Sequence, residues 1–165
     1  MFLKTLYKTI LGFILLLLSG NLYALCAGLG CTCSISVPTL NFSTYAPLSG
    51  SADNVTDTVS VTCSALVLSV AVSYTITLSQ GGSGTYTQRQ MTNGGATLNY
   101  NIYTDSGRTL IWGNGAGGTS DITDSYTLVS SPTTKNYTAY GQIPANQTSA
   151  IPGSYSDSIV ATVTF

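Results

Sequence analysis

Apolar and polar residues alternate in short runs along most of this chain, and turn-forming residues separate the runs. Alternation with a period of two predicts half-buried strands rather than helices. The clearest run is SVAVSYTITL, with Val70, Val72, Tyr74, Ile76 and Leu78 on one face. Similar runs follow at VSVTC, TLNYNIYT, SYTLV and YTAYGQI. The pattern therefore predicts an all-β sandwich or barrel.

The final run, GSYSDSIVATVTF, predicts one more strand. Its alternate positions Ile159, Ala161, Val163 and Phe165 form an apolar face. Between the runs, GGSG, DSGR and WGNGAGGTSD carry the residues that turns and loops prefer. DSGR lies between two alternating runs and predicts a hairpin turn.

The first 24 residues have the layout of a secretory signal peptide. Lys4 and Lys8 precede the apolar run ILGFILLLLSG, and Ala24 offers a small residue for cleavage. The apolar run is short for a membrane span, so we expect no membrane anchor after cleavage. We therefore expect a signal peptide at residues 1–24 and one domain at residues 25–165.

The composition disfavours an enzyme, because the chain has neither His nor Glu. General acid–base catalysis near neutral pH relies on His or on a carboxylate with a shifted pKa. The usual metal sites need His, several Cys or clustered carboxylates. We expect no catalytic residues, no metal and no cofactor. Three cations beyond residue 24 also make nucleic acid an improbable partner.

Four cysteines follow residue 24, an even number that predicts disulfides in an exported protein. We favour a bond between Cys33 and Cys63, joining two early strands, with Cys26–Cys31 as a second, local bond. The alternative pairing is Cys31–Cys63. A zinc site is the competing interpretation, but the C-x4-C-x-C spacing is poor for one.

Trp112 stands beside the Gly-rich loop and is the best candidate for an exposed aromatic contact. Exposed aromatic side chains can bind a sugar or an abiotic surface. This residue supports an alternative hypothesis, a carbohydrate-binding sandwich. Tyr74, Tyr100 and Tyr126 are instead expected in the core.

From Cys33 to Phe165 the chain resembles the spore coat protein U domain, which is shared with subunits of archaic, Csu-type chaperone–usher pili. The residues that carry the resemblance stand in order along the chain: CSISVPTLNFSTYAP, VSVTCS, YTITLSQGGSG, RQM, LNYNIYTDSGRTLIWGNG, AYGQIPANQ and PGSYSDSIVATVTF. The block from Leu98 to Gly115 is the most specific of them.

The resemblance implies an immunoglobulin-like β-sandwich that lacks one strand. A periplasmic pilus chaperone would fill the groove first, and the N-terminal segment of a neighbouring pilus subunit would replace it at the outer-membrane usher. Ile159, Ala161, Val163 and Phe165 would then form the strand-acceptor edge. An ordinary closed sandwich is the alternative fold.

The implied function is that of a secreted structural and adhesive subunit of a bacterial surface pilus, which passes through the periplasm and supports attachment and biofilm formation. The alternative is a stand-alone extracellular spore-coat or biofilm-matrix protein with the same fold. Two features depart from the family. Ser43 stands where the family commonly has Gly after Phe42, and residues 25–32 form a short, Gly- and Cys-containing segment ahead of Cys33 that is poorly suited to donate a strand.

Overall fold

The computed structural model describes residues 30–67 and 69–165. The predicted signal peptide at residues 1–24 and the predicted bridging residue Cys26 lie outside these ranges. The division into a signal peptide and a domain at residues 25–165 therefore stays a prediction.

Eight strands make up the described part of the chain, together with one short 3₁₀ turn at Gly81–Ser83 and no α-helix. The strands are β1 (Thr32–Ser36), β2 (Asp53–Ser64), β3 (Val70–Leu78), β4 (Arg89–Asn93), β5 (Ala96–Tyr103), β6 (Ile122–Leu128), β7 (Thr133–Ile143) and β8 (Ala161–Thr164). The predicted all-β fold is confirmed.

The strands form two antiparallel sheets. The larger sheet has the order β1-β2-β7-β5-β4, and the smaller has the order β6-β3-β8. The longest pairing joins β2 to β7 from Asp53–Ile143 to Cys63–Thr133. The two sheets bury their facing sides against each other, which gives the predicted sandwich.

Alternation in the sequence explains which side chains fill the core. In β3 the buried residues are those predicted from the sequence: Val70, Val72, Tyr74, Ile76 and Leu78. The larger sheet contributes alternate residues of β2, β5 and β7, including Val59, Val61, Leu98, Ile102 and Ala139. Tyr100 is buried as predicted, and Tyr126 is half-buried against the core.

The predicted hairpin at DSGR is present as a tight turn, in which the Arg108 N–H donates to the carbonyl of Asp105 at 3.1 Å. The Asp105 carboxylate accepts from the N–H groups of Thr109 and Leu110 at 2.9 and 2.8 Å. The chain then returns beside β5 through a single bridge between Tyr103 and Ile111 rather than through a full strand.

Candidate functional site

An open cavity of about 990 Å³ lies over the inner face of the larger sheet. The smaller sheet leaves this part of the core uncovered, because β8 pairs with only the last part of β3, Thr75–Leu78. Two irregular segments, residues 37–47 and 150–159, form much of the remaining wall. The sheet side chains that line the cavity are Asp57, Val59, Leu78, Met91, Leu98, Tyr100, Ile102, Ala139 and Ile143.

The strand β8 lies at the edge of the smaller sheet, and in the described part of the chain it pairs with β3 alone. Of the residues predicted as a strand-acceptor edge, Ile159, Ala161 and Val163 are partly buried against the core, and Ile159 also lines the cavity. Phe165 lies just beyond β8 and remains 44% exposed.

The segment before β8 is anchored by Asp157. Its carboxylate accepts hydrogen bonds from the Tyr100 hydroxyl at 2.7 Å, from the Gly82 N–H at 2.9 Å and from the Ser158 N–H at 2.8 Å. A Cβ added at Gly81 would lie 2.2 Å from this carboxylate, and Gly81 has a φ of +71°. Glycine at position 81 therefore lets the loop between β3 and β4 come close to the Asp157 carboxylate.

Gln147 holds the segment after β7 against the larger sheet. Its side-chain amide donates to the carbonyl of Asn99 at 2.9 Å and accepts from the Asn99 N–H at 2.7 Å. The pairing of β5 with β7 begins only at Asn101, so this amide satisfies backbone groups that β7 does not reach. Sequence reasoning placed Gln147 in the family block AYGQIPANQ but assigned it no role.

Arg89 is a fully buried cation that sequence reasoning did not single out as a site residue. Its guanidinium donates to the carbonyls of Ser79 and Trp112 and to the side-chain oxygen of Asn101, at distances from 2.7 to 3.1 Å. Burial lowers the pKa of Arg89, and the hydrogen bonds compensate for the lost water. The residue ties β4 to β5 and to the end of β3 behind the cavity.

The predicted exposure of Trp112 is wrong, because this side chain is fully buried. Its indole N–H donates to the carbonyl of Ile76 at 3.1 Å, and its backbone N–H donates to the carbonyl of Ile102 at 2.8 Å. The backbone of the next residue, Gly113, accepts from the Leu78 N–H at 3.0 Å and donates to the carbonyl of Ser120 at 2.7 Å, so the start of the Gly-rich loop is held beside the end of β3. Trp112 therefore offers no surface for a sugar, and the carbohydrate-binding hypothesis loses the residue that supported it.

The predicted disulfide between Cys33 and Cys63 is present and joins directly paired positions of β1 and β2. This bond excludes the alternative pairing Cys31–Cys63. Cys31 is not a free thiol. Its predicted partner, Cys26, lies outside the described residues, so the Cys26–Cys31 bond stays a prediction.

The described residues contain no group of three or more His, Cys, Asp or Glu side chains arranged to hold a metal ion. Within the same ranges no helix is long and apolar enough to cross a membrane. The cavity is lined by apolar side chains of the larger sheet, by hydroxyl groups from the two irregular segments, and by two carboxylates, Asp57 and Asp157.

Both the sequence and the fold of this chain are similar to those of known proteins. The family model described as Spore Coat Protein U domain matches residues 22–162. Protein U of Myxococcus xanthus is 36% identical, and the match covers 84% of this chain and 80% of that protein.

The fold is similar to that of a chain in the CsuC–CsuE chaperone–tip adhesion subunit pre-assembly complex from archaic chaperone–usher Csu pili of Acinetobacter baumannii. The TM-score is 0.53 and the identity is 20%. The match covers 82% of this chain and 40% of that chain, so this chain spans less than half of the structure it matches. At this identity the likeness shows a shared fold.

Proposed function

This chain belongs to the Spore Coat Protein U domain family, and we propose that it is an exported structural subunit of a bacterial surface pilus that accepts a strand from a partner. The observation that carries the proposal is the open cavity beside β8. In an ordinary closed sandwich a complete second sheet would cover Leu98, Ile102 and Val59. Here these residues are shielded from solvent but line a cavity of about 990 Å³, and irregular segments rather than a second sheet form much of its remaining wall.

A strand is the occupant that this site fits best. The strand β8 is an edge strand that pairs with β3 alone in the described part of the chain, and Ile159, just before β8, lines a cavity with apolar side chains in its wall. Strand addition uses both features, since main-chain hydrogen bonds give affinity and alternate side chains enter pockets. The residues Ile159, Ala161, Val163 and Phe165 would form the accepting edge. An exposed apolar edge left empty invites aggregation, so an occupant also protects the subunit in transit.

The proposed partners follow from this need for an occupant. A periplasmic chaperone would fill the groove first, and a neighbouring subunit would replace it during assembly at an outer-membrane usher. The matched structure from Acinetobacter baumannii is itself a complex of a chaperone with a tip adhesion subunit. Surface attachment and biofilm formation would be properties of the assembled fibre.

Expression in the periplasm with and without an archaic-class pilus chaperone tests the proposal. We expect the chain to accumulate only as a one-to-one complex with the chaperone. Ile159→Asp, which places a charge in the cavity, should abolish that complex. Val160→Asp is the matched control, because Val160 adjoins Ile159 but is 63% exposed.

A soluble monomer that unfolds cooperatively when expressed alone would contradict the pilus proposal. The same result would favour the alternative, a stand-alone extracellular coat or matrix protein with a complete sandwich. Unchanged complex formation by Ile159→Asp would show that the chaperone binds elsewhere.

A further inference from the structure

Asp57 is an acidic side chain on the inner face of β2, which is otherwise apolar except for Asp53 at the start of the strand. It stands between Val55 and Val59 in the alternation of that strand, and it lines the cavity. Its partner across the sheet is Ala139, whose small side chain leaves the carboxylate room toward the cavity. An acid at this position is unexpected, because core-facing strand positions are normally apolar.

The carboxylate of Asp57 has little support from its own chain. Within the described residues its Oδ1 accepts one hydrogen bond, from the adjacent Thr58 N–H at 2.8 Å, and Oδ2 accepts none. The other acid of the cavity, Asp157, differs in this respect, since it accepts hydrogen bonds from Tyr100, Gly82 and Ser158.

No cation within the described ranges reaches the cavity. Arg89 is buried behind it, Arg108 lies over the ring of Tyr140, and Lys135 lies over the ring of Tyr126. The cavity wall contains neither Lys nor Arg. Among the described residues, therefore, none supplies a countercharge to Asp57.

While the cavity is open, water can solvate the free oxygen of Asp57. A strand laid across the cavity would remove that water, and a carboxylate that loses water without gaining a partner is costly. An occupant with a basic side chain above Asp57 avoids this cost, whereas one with an apolar or acidic side chain there does not. Such a difference between occupants is a source of specificity.

We propose that Asp57 selects the segment of a neighbouring subunit that occupies the cavity, by pairing with a Lys or Arg that this segment carries among apolar residues. The inference rests on the proposed strand-accepting function and adds the chemistry of the strand that is accepted.

The test uses the chaperone complex of the full mature chain and synthetic peptides of about ten residues, the length of a long strand. The peptides alternate Val or Leu with Thr, and one inward-facing position carries Lys, norleucine or Glu. That position is moved along the peptide in successive versions. The measured quantity is the peptide concentration that displaces half of the chaperone, followed by size-exclusion chromatography.

At one position of the series we expect the Lys peptide to displace the chaperone at about a tenfold lower concentration than the norleucine peptide, with the Glu peptide the weakest. Asp57→Asn should remove this preference, since it keeps the shape and removes the charge. Asp53→Asn is the matched control, because it alters the same face of β2 outside the cavity and should keep the preference. The yield of each complex reports folding.

Peptides that enter the wild-type cavity without any preference for Lys would overturn the role of Asp57 and leave the strand-accepting function intact. The same holds if Asp57→Asn retains the preference, or if Asp53→Asn loses it equally. If no peptide enters and the chain is stable without the chaperone, both proposals fail.

Discussion

The hydroxyl of Tyr100 donates a 2.7 Å hydrogen bond to the carboxylate of Asp157, and this bond ties the larger sheet to the segment that leads into β8. Burial, and then the bond to Asp157, raise the pKa of Tyr100, so the phenol stays protonated and remains a donor. Through this bond the inner face of β5 fixes one wall of the cavity.

Removal of this hydroxyl tests the contact. We expect Tyr100→Phe to lower the free energy of unfolding by about 1–2 kcal/mol, because Asp157 loses one donor but keeps two backbone N–H donors. Chemical denaturation of the purified protein measures the change. Tyr140→Phe is the control, since the Tyr140 hydroxyl makes no hydrogen bond within the described residues. An equal loss in both variants would show that the Asp157 contact adds nothing specific.

Arg89 should not tolerate replacement by Lys. A single ammonium cannot reach Ser79, Trp112 and Asn101 together, so Arg89→Lys leaves buried acceptors without donors. Each orphaned buried group costs about 1–3 kcal/mol, and we expect a total loss of about 3 kcal/mol or more.

Thermal and chemical unfolding of Arg89→Lys, compared with Arg108→Lys, provide the measurement. Arg108 is only half-buried and should change stability by less than about 1 kcal/mol. Near-equal effects of the two substitutions would argue that the buried guanidinium is replaceable.

The turn at Asp105 predicts a dependence on acid pH. Hydrogen bonds from the Leu110 N–H and then from Thr109 lower the pKa of Asp105 below its ordinary value of 3.8. Because the pKa of Asp105 is lower in the folded than in the unfolded protein, the ionised carboxylate stabilises the fold at pH values above the unfolded-state pKa. This stabilisation is lost as the pH falls through the folded-state pKa.

Asp105→Asn should therefore lower the melting temperature at pH 7, and its difference from wild type should shrink below about pH 4. Melting curves at several pH values measure this trend. Asp121→Asn, at a carboxylate without hydrogen bonds in the described part of the chain, is the control. A difference that stays constant from pH 7 to pH 3 would contradict the assignment.

Ser43 adopts a φ of +57°, in the left-handed region that favours glycine. The sequence had marked this position, because the resembling family commonly has Gly there. A non-glycine residue with this backbone conformation destabilises the folded protein by about 1–2 kcal/mol. Glycine removes this strain, but it also increases the conformational entropy of the unfolded chain, which offsets part of the stabilisation. We expect Ser43→Gly to raise the free energy of unfolding by about 0.5–1 kcal/mol.

Denaturant titration of Ser43→Gly and Ser43→Ala separates backbone strain from the loss of the hydroxyl. The alanine variant should be no more stable than wild type, since it retains a Cβ. A stabilised alanine variant would point to a cause other than the backbone angle.

Local alternation predicted most of the strands, although not β4, and the even number of cysteines predicted disulfide bonds. Alternation along Val70–Leu78 places one face in the core whatever the partner strand is, and an even number of cysteines in an exported chain predicts bonded pairs. The prediction for Trp112 failed because its burial depends on the carbonyl of Ile76, which lies far away in the sequence.

The roles of Arg89 and Gln147 escaped prediction for the same reason. The acceptors of Arg89 include Trp112, and Gln147 pairs with the backbone of Asn99. No periodic pattern marks such contacts. Asp57 precedes the predicted strand VSVTC by two residues, and only the extent of β2, the register with Ala139 and the lining of the cavity show where it lies.

The bond between Cys33 and Cys63 has a mechanical consequence. Tension applied at the amino-terminal end of β1 passes to β2 through a covalent link near the first residue pair of that ladder, so the short β1–β2 pairing need not bear the load. From Cys63 the load spreads along the whole pairing of β2 with β7. The amino-terminal end of the described chain is thereby coupled to β7 in the middle of the larger sheet. A force applied to that end would load the β2–β7 pairing before it could separate the edge strand β1 from β2.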